Sequence, residues 1–486
     1  MPESTQPLAR TFLSEMWAAL GGDPSVAERV TFTGDGSLPG AFAQTDLAAA
    51  AFGVAGAAVS ELLEAGGTRA SAVEVDRVLS TGWFLLPPGP SRLVNPPPPS
   101  PVHIPPFHTE IATADGRWLR LHGFPSNRER IVKTLGVEDD VEAVTAVVRE
   151  RAVDEIEQEL VDAGCVVAAS RTPEEWFAHP AGAAVDAEPL AAVTEFAAEG
   201  SGWRPTPGRP LSGVKVLDLT RVVAGPTGSR FLAALGAEVL RIDAPDSEES
   251  RYLPLGYDLL LGKRWAFLDL RTPEGVEQFR RLLAEADVLV HGYRPGALDG
   301  FVPEEERRRL NPDLVEVALR AYGWEGPWSM RRGFDTVVQF SVGLAVATQQ
   351  WALADPTNRV PLQINGHDVD ASRPRHTPVE GLDLATGYQI AAAAIRGLTR
   401  RLQTGAGSIT KYSLARTASL LIKAGPNPAG GPDIRLPLDG PWEDRIHGSP
   451  LGPVKRMVFP IGIEGTPLFW EKTPDRPGAA APVWNG

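Results

Sequence analysis

Cysteine is nearly absent: Cys165 is the only one in 486 residues. A disulfide framework within the chain and a cysteine-rich metal site are both excluded, and a reducing compartment is the natural setting. Basic side chains are also scarce, 47 Lys and Arg against 61 Asp and Glu, for a net charge of −14. A surface of that sign repels nucleic acid and anionic bilayers, so neither is expected as a partner. The opening MPESTQPLARTFLSEMWAAL has acidic residues where a secretory leader is basic, and it lacks a continuous apolar core. Alanine-rich runs such as LAAAAFGVAGAAV fall short of the ~20 apolar residues of a membrane span. A cytoplasmic protein is expected. Two phosphate-binding signatures are missing as well, GxGxxG after the first strand and GxxxxGK[ST], which removes the two simplest nucleotide-site assignments.

Proline, by contrast, is abundant, with 45 copies beside 49 glycines, nearly double the usual ~5%. Stiff turns and extended linkers must therefore be common. Hydrophobic (43%) and charged (22%) fractions are those of a globular protein, and the length is about three times that of a typical domain. Three seams stand out. PPGPSRLVNPPPPSPVHIPPF, 87–107, cannot continue a helix or a central strand and reads as polyproline II. Such a segment serves as a recognition motif or, more commonly, as a rigid spacer. EGSGWRPTPGRPLSG, 199–213, is the second, and AGPNPAGGPD, beyond Lys423, opens an aperiodic tail.

Between the second and third seams, strand and helix patterns alternate. Residues 214–219, 237–242, 265–270, 287–290 and 314–319 read as buried strands. Gly225, Pro226 and Thr227 turn the chain into a helix closed by Gly236, and Thr272 with Pro273 opens another. The pattern predicts an α/β fold with a doubly wound parallel sheet, whose ligands bind beyond the carboxyl ends of its strands. Those ends carry Arg221, Arg251, Lys263, Arg264, His291, Arg294, Arg320, Arg331 and Arg332. Surface cations are mostly solvated, yet such clustering in an acidic chain suggests a ligand with several negative charges.

In GLDLATGYQIAAAAIRGLTRRL, 381–402, Leu384, Tyr388, Ala391, Ile395, Leu398 and Leu402 form one apolar helical stripe. Asp383 precedes it. An N-cap is its ordinary role. The alternative is a nucleophilic carboxylate, kept ionised by the helix amino terminus beside amides that stabilise an oxyanion.

Five ordered segments resemble the class III coenzyme A transferases related to formyl-CoA transferase and carnitine CoA-transferase. They are PLSGVKVLDLTRVVAGPTGSRFLAALGAEVLRIDAP, GKRWAFLDLRTPEG, ADVLVHGYRPGAL, then LNPDLVEVALRAYGWEGP with RRGFDTVVQFSVGL, and finally DLATG, 383–387. The last is similar to the family's D-x-x-T-G. The resemblance implies a Rossmann-like sheet with a smaller α+β domain in an interlocked homodimer. It makes Asp383 the nucleophile that forms an aspartyl mixed anhydride and then an aspartyl-CoA thioester. CoA, a substrate and not a resident cofactor, would lie along Val223, Ala224, Leu259, Gly262, Lys263, Gly292, Tyr293, Arg294 and Arg332, and a carboxylic acid is the other partner. Three positions depart from the family pattern: Gly292 where Asn is usual, Ala244 and Gly300 where Arg is common. Related racemases place a His before the Asp that is Asp335 here. Phe334 holds that position and argues against racemisation, which stays as an alternative beside a catalytically silent partner subunit.

The family's parts are out of order. TADGRWLRLHGF, 113–124, and the stretch after it resemble the small domain that normally follows the catalytic helix. DLAAAAFGVAGAAVSELLEAGGTRASAVEV, from Asp46, loosely repeats DLATGYQIAAAAIRGLTRRLQTGAGSITKYS, from Asp383. The expected organisation is a degenerate repeat of the catalytic-helix region, 1–86, a proline-rich linker, 87–108, and a small α+β domain, 109–200. A Rossmann-like CoA-binding domain, 210–345, an insert, 346–380, the catalytic-Asp region, 381–423, and an irregular tail packing on the large domain, 424–486, complete it. Asp46 lacks the following Thr-Gly and reads as a cap or relic. Cys165 reads as a buried small hydrophobe. His367, Asp368 and Asp370, with His376 nearby, match no established metal spacing, so no metal is expected. Trp203, Trp324, Trp328, Trp351 and Trp442 either line an acyl pocket or are simply packed.

Overall fold

The computed structural model describes residues 7–85, 90–96, 107–198, 200, 202–248, 258–355, 357–358, 372–428, 431–449, 451–474 and 476–485. Its centre is a seven-stranded sheet of β1 (Ala192–Phe196), β2 (Lys215–Leu219), β3 (Glu238–Asp243), β4 (Lys263–Phe267), β5 (Val288–His291), β6 (Val315–Arg320) and β7 (Gly407–Ser413). The order is β4-β3-β2-β5-β6-β7-β1. Every neighbouring pair is parallel except β7 with β1. Apolar runs such as VLDL and VLVH are buried on both faces, as parallel strands covered by helices on each side must be. The chain winds outward in both directions from β2 and β5, and the strand order reverses there, which opens a crevice beyond their carboxyl ends.

The five expected strands are all present, with bounds within two residues except that β4 ends at Phe267 rather than 270. β7 and the antiparallel edge β1 carry no comparable apolar run and were not foreseen. The helix capped by Thr272 starts as expected: its hydroxyl accepts from the Gly275 amide at 3.1 Å and Pro273 is the first helical residue.

Six helices matter below: α1 (Gln44–Ala65), α2 (Arg77–Trp83), α3 (Ala224–Ala234), α4 (Asp335–Ser341), α5 (Gly381–Thr404) and α6 (Leu414–Lys423). Helix α5 is buried along nearly its whole length. A Cβ on Gly387 would come within 2.6 Å of the Ala224 carbonyl oxygen, and one on Gly228 within 2.8 Å of the Gly387 carbonyl oxygen. Helices α3 and α5 therefore meet backbone to backbone, and both glycines are steric requirements. On another face α1 runs parallel to α5. Gln44 meets Gly381 at their heads, Phe52 lies 4.0 Å from Tyr388 between ring centroids, and Glu61 pairs with Arg396 further along. By length and composition α1 is long and apolar enough to cross a membrane, contrary to the estimate from its alanine run, but in the fold its surface is buried.

Asp46 occupies in α1 the place that Asp383 holds in α5, the third residue of the helix. It is not a cap, since the helix begins without a side-chain cap bond. Its Oδ1 instead accepts from Arg77 Nε at 3.1 Å and Nη2 at 2.9 Å, and Arg77 Nη1 donates to the Gly34 carbonyl. Both residues are buried.

The strands Glu110–Ala112, Trp118–Leu121 and Val167–Ala169 form a small antiparallel sheet with its own core around Leu119, Ile131, Ile156 and Cys165. That unit is shorter than the expected 109–200: Trp176, Ala181 and Val185 join the main core, and β1 completes the main sheet. The tail is not wholly irregular either. Ile461–Ile463 pairs with Val73–Asp76 beside Val30–Thr33, and Val454–Met457 lies between Trp442–His447 and Ser91–Leu93, so the tail packs on the amino-terminal segment as well as on the sheet. Most of the proline-rich linker, and His367, Asp368 and Asp370, lie outside the described residues.

Arg77→Met removes the partner of a buried carboxylate. It is expected to cost about 3–5 kcal/mol, read as a lowered denaturation midpoint at an unchanged slope.

Candidate active site

A cleft opens where the small domain faces the carboxyl ends of β2, β5 and β6. The turn after β2 contributes Arg221, Val222, Val223 and Ala224, and the loop after β5 contributes Gly292, Tyr293 and Arg294. Arg320, Arg331, Arg332, Phe334 and Asp383 continue the wall, and Phe124, Asn127, Arg130 and Val166 close it from the small domain. Val222 has φ of 66°. A β-branched residue in the left-handed region costs of order 1–3 kcal/mol, strain that clusters at functional sites. Helix α3 then starts from Val223, whose side chain gives no cap bond.

Of the residues expected to hold CoA, Val223, Ala224, Gly292, Tyr293, Arg294 and Arg332 line this cleft together with Asp383. Leu259, Gly262 and Lys263 do not. Lys263 Nζ is buried and donates to Asp218 Oδ2 and to the Pro226 carbonyl, both at 2.9 Å. Burial pushes its ammonium down to about 8 against the pull of Asp218. A cation spent on a buried carboxylate is unavailable to a ligand. Leu259 is core, and Gly262, at φ +77°, packs on Trp470. Arg264 pairs with Glu238 and His291 with Glu316, and Arg251 lies outside the described residues.

Besides Arg320, which donates to the Ser329 carbonyl at 3.3 Å, four arginines remain. Arg221, Arg294 and Arg332 come from the large domain, and Arg130, which the sequence did not single out, comes from the helix Pro125–Leu135. Arg130 sits in NRERIVK, where its alternation with acids resembles any solvated helix face. Among the described residues none of the four forms an ion pair. Burial lowers Arg332 below its ordinary value, and repulsion from Arg294, Arg130 and Arg221 adds to that. Four cations held close and outside any ion pair, in a cleft that Glu248 also lines, make a receptor for a polyanion.

Arg331 anchors this wall to the small domain. Its Nη2 donates to Glu157 Oε1 at 2.7 Å and to the Val167 carbonyl, Arg171 grips the same carboxylate, and the Arg331 guanidinium stacks 3.8 Å from the Trp328 ring centre. Burial alone would raise Glu157, but the two guanidiniums outweigh it and hold the carboxyl at about 2. The adjoining Arg332 reaches the Gly164 carbonyl at 3.3 Å, as does Arg130.

Asp383 lies inside the first turn of α5, not ahead of it, and is 7% exposed. The capping role expected of it belongs to Asp335, whose Oδ2 accepts from the Asp383 amide at 2.8 Å and whose carboxylate also takes the Leu382 amide. With those amides occupied, the helix terminus gives the Asp383 carboxylate little. Burial first, then the charges of Asp335 and Glu380, push Asp383 well above the carboxylate range, where it was expected to be ionised. Asp335 is also raised by burial, but its amide donors and Gln339 favour its anion, so it is the member of the pair that ionises first. Glu380, pushed up to about 8 by burial and then by Asp335, completes a carboxyl cluster at the head of α5.

Phe334 stacks on His122 with centroids 4.3 Å apart, and Phe124 packs against both. Burial, with Arg120 adding to it, holds His122 down at about 3, a neutral ring. His376 is likewise lowered by burial, and its Nδ1 approaches the Thr377 carbonyl at 2.9 Å. None of the five tryptophans lines the cleft. Cys165 sits in the small-domain core with its thiol raised by burial.

The sequence profile of CoA-transferase family III matches residues 211–427, the span that builds β2 to β7 and carries Asp383. That span is about 45% of the chain, and over it the sequence is similar to the family. A probable fatty acyl-CoA transferase of Mycobacterium tuberculosis, Rv3272, is 31% identical over 221 residues, 43% of this chain and 51% of its own. Succinyl-CoA:glutarate CoA-transferase of Homo sapiens is 32% identical over 214 residues, 41% of this chain and 44% of its own. The chain thus spans about half the length of the relatives it matches. A crystal structure of Rv3272 aligns at a TM-score of 0.37 and 30% identity over 45% of this chain and 57% of its own.

Glu380→Gln tests the carboxyl cluster. A carboxyl raised in the folded state stabilises below its unfolded pKa, near 4.3, and that contribution is lost as pH rises through about 8. The variant should melt above the parent at pH 8, and the gap should close by pH 5 in a thermal-denaturation series.

Proposed function

We propose that the protein is an acyl-CoA:carboxylate CoA-transferase with Asp383 as its nucleophile. The observation that carries this is the union, in one cleft, of a buried carboxyl that can form an acyl adduct and four arginines that form no ion pair among the described residues. CoA supplies the matching polyanion. The match of 211–427 to the family profile and relatives named as CoA-transferases support the same chemistry.

In the proposed sequence, the ionised Asp383 oxygen attacks the donor's thioester carbon, the C–S bond breaks, and CoA leaves as thiolate beside the arginines. The thiolate then attacks the aspartyl carbonyl of the mixed anhydride and releases the donor acid. The acceptor carboxylate runs both steps in reverse. Thioester energy is conserved, so neither ATP nor a resident cofactor enters. The first-turn amides of α3 are suited to hold the developing oxyanion. Asp383 must lose its proton before attack, so the rate should climb with pH through the ionisation of the cluster.

The protein would be cytoplasmic and a homodimer. Because α5 is already enclosed within one chain, a second copy would meet another face, and light scattering of the purified protein reads its mass.

Asp383→Ala is expected to lower transfer by at least 10³-fold, as loss of a covalent nucleophile does, and hydroxylamine should trap a hydroxamate on the 381–402 peptide of the parent alone. Unchanged turnover in the variant overturns the mechanism. Solvent deuterium entering the α-carbon without an acceptor acid would mark an isomerase. Absence of CoA binding by calorimetry would mark a silent subunit. Arg332→Ala should raise the KM for acyl-CoA by about 10-fold, the weight of a charge-assisted contact.

A further inference from the structure

The amino-terminal helix α1 brings one polar side chain to the head of α5. Gln44, the first residue of α1, is 3% exposed, and among the described residues neither its Oε1 nor its Nε2 has a hydrogen-bond partner. Burying an unpaired primary amide costs about 1–3 kcal/mol, and an orphan of this kind in a well-packed region calls for an explanation. It lies against Gly381, the first residue of α5: a Cβ there would stand 2.1 Å from Oε1 and 3.4 Å from Nε2. The absence of a side chain at 381 is what admits the amide against the first turn of α5, two residues from Asp383.

The residues that follow it are held firmly. Thr45 accepts the Leu38 amide at 2.9 Å and the Thr81 hydroxyl at 3.0 Å, and Asp46 is bound by Arg77. Two of the three residues that open α1 are thus pinned from outside, and Gln44 alone of the three has unspent side-chain hydrogen bonds.

The charges around it leave one destination. From α4 comes Asp335, already supplied by two amides and Gln339. From α5 itself come Glu380 and Asp383. On α1 and α2, Asp46 and Arg77 neutralise each other. On α3, Arg230 is engaged by Asp258 and Tyr388, and on α6, Arg416 by the Glu188 carbonyl and Lys423 by Asp186. On the flanking strands, Glu316 is bound by Arg307 and His291, Lys411 by Glu304, and Arg320 donates to the Ser329 carbonyl. Among the described residues Asp383 is left without a donor to its charged form, and Glu380 has only its own backbone amide.

We propose that Gln44 is a positioning residue of the Asp383 site, its side-chain amide reserved as hydrogen-bond donor to the ionised carboxylates at the head of α5. The amino-terminal segment is then part of the catalytic apparatus and not an inert repeat. Gln44 touches neither acyl group nor CoA. It acts by favouring the anion that Asp383 needs for attack, and so rests on Asp383 being the nucleophile.

Gln44→Met keeps the length and bulk and removes the amide. Two measurements on the full chain test it. In thermal denaturation, the melting temperature of the variant relative to the parent should fall by on the order of 2 °C between pH 5 and pH 8.5, because the donor matters only once the carboxylates ionise. In the pH-rate profile, the acid limb should move up by about one unit, a roughly tenfold loss at pH 6.5, with the KM for acyl-CoA within about twofold. Gly381→Ala, which forces the amide aside, should shift the limb in the same direction. A melting offset that is the same at every pH, or an unmoved acid limb, overturns the role. Should Asp383→Asn retain full turnover, the nucleophile fails instead, and the pH dependence of melting still decides whether Gln44 serves Glu380.

Discussion

The carboxylate of Asp335 accepting the first amides of α5 is the contact on which the site turns. A helix buried on all sides has no water to satisfy its leading amides, so a side chain must, and here it comes from a different helix. That choice frees Asp383 from capping and leaves its carboxyl facing the cleft. It also places a second carboxylate beside it, and the shared burial of Asp335, Glu380 and Asp383 makes the cluster costly to ionise. Reactivity and local instability thus have one origin. The hydrogen-bonded path from Asp335 through Gln339 to the Thr377 amide holds α4 and the 372–380 segment in register with it.

Electrostatics divide the molecule on the same principle. Most buried cations are spent internally, Lys263 on Asp218, Arg307 on Glu316, Arg331 on Glu157, Arg77 on Asp46. Such pairs repay desolvation only when both partners stay together, and they join distant segments of the chain. What distinguishes the cleft is that Arg130, Arg221, Arg294 and Arg332 are left unspent, with Glu157 locking the two domains so that arginines from each converge. In a chain with a net charge of −14, that local excess steers an anionic ligand to one place.

The alternation of apolar strands with capped helices was legible because both periods are local: VLDL, VLVH and the Thr272-Pro273 start each encode their own conformation. Asp383 was legible because DLATG is short and contiguous. The two strands at the β7 edge were not, since GSITKYS and AVTEF lack a two-sided apolar run and become strands only by pairing with each other and with β6. Arg130 and Gln44 look ordinary in sequence, and their surroundings come from chain segments some 200 and 340 residues away. The strip 259–263 misled in the opposite sense, because resemblance carries a residue's identity but not the direction of its side chain.

The sequence by itself determined the alternating α/β pattern, the carboxylate at the head of a buried helix and the lack of cysteine chemistry, all written in neighbouring residues. Only the tertiary structure decided which cations stay unpaired, which side chain caps α5, and that the amino-terminal segment lies against Asp383's helix. Those outcomes depend on burial and on partners far apart in the chain, and free energies of burial and pairing exist only once the segments have met.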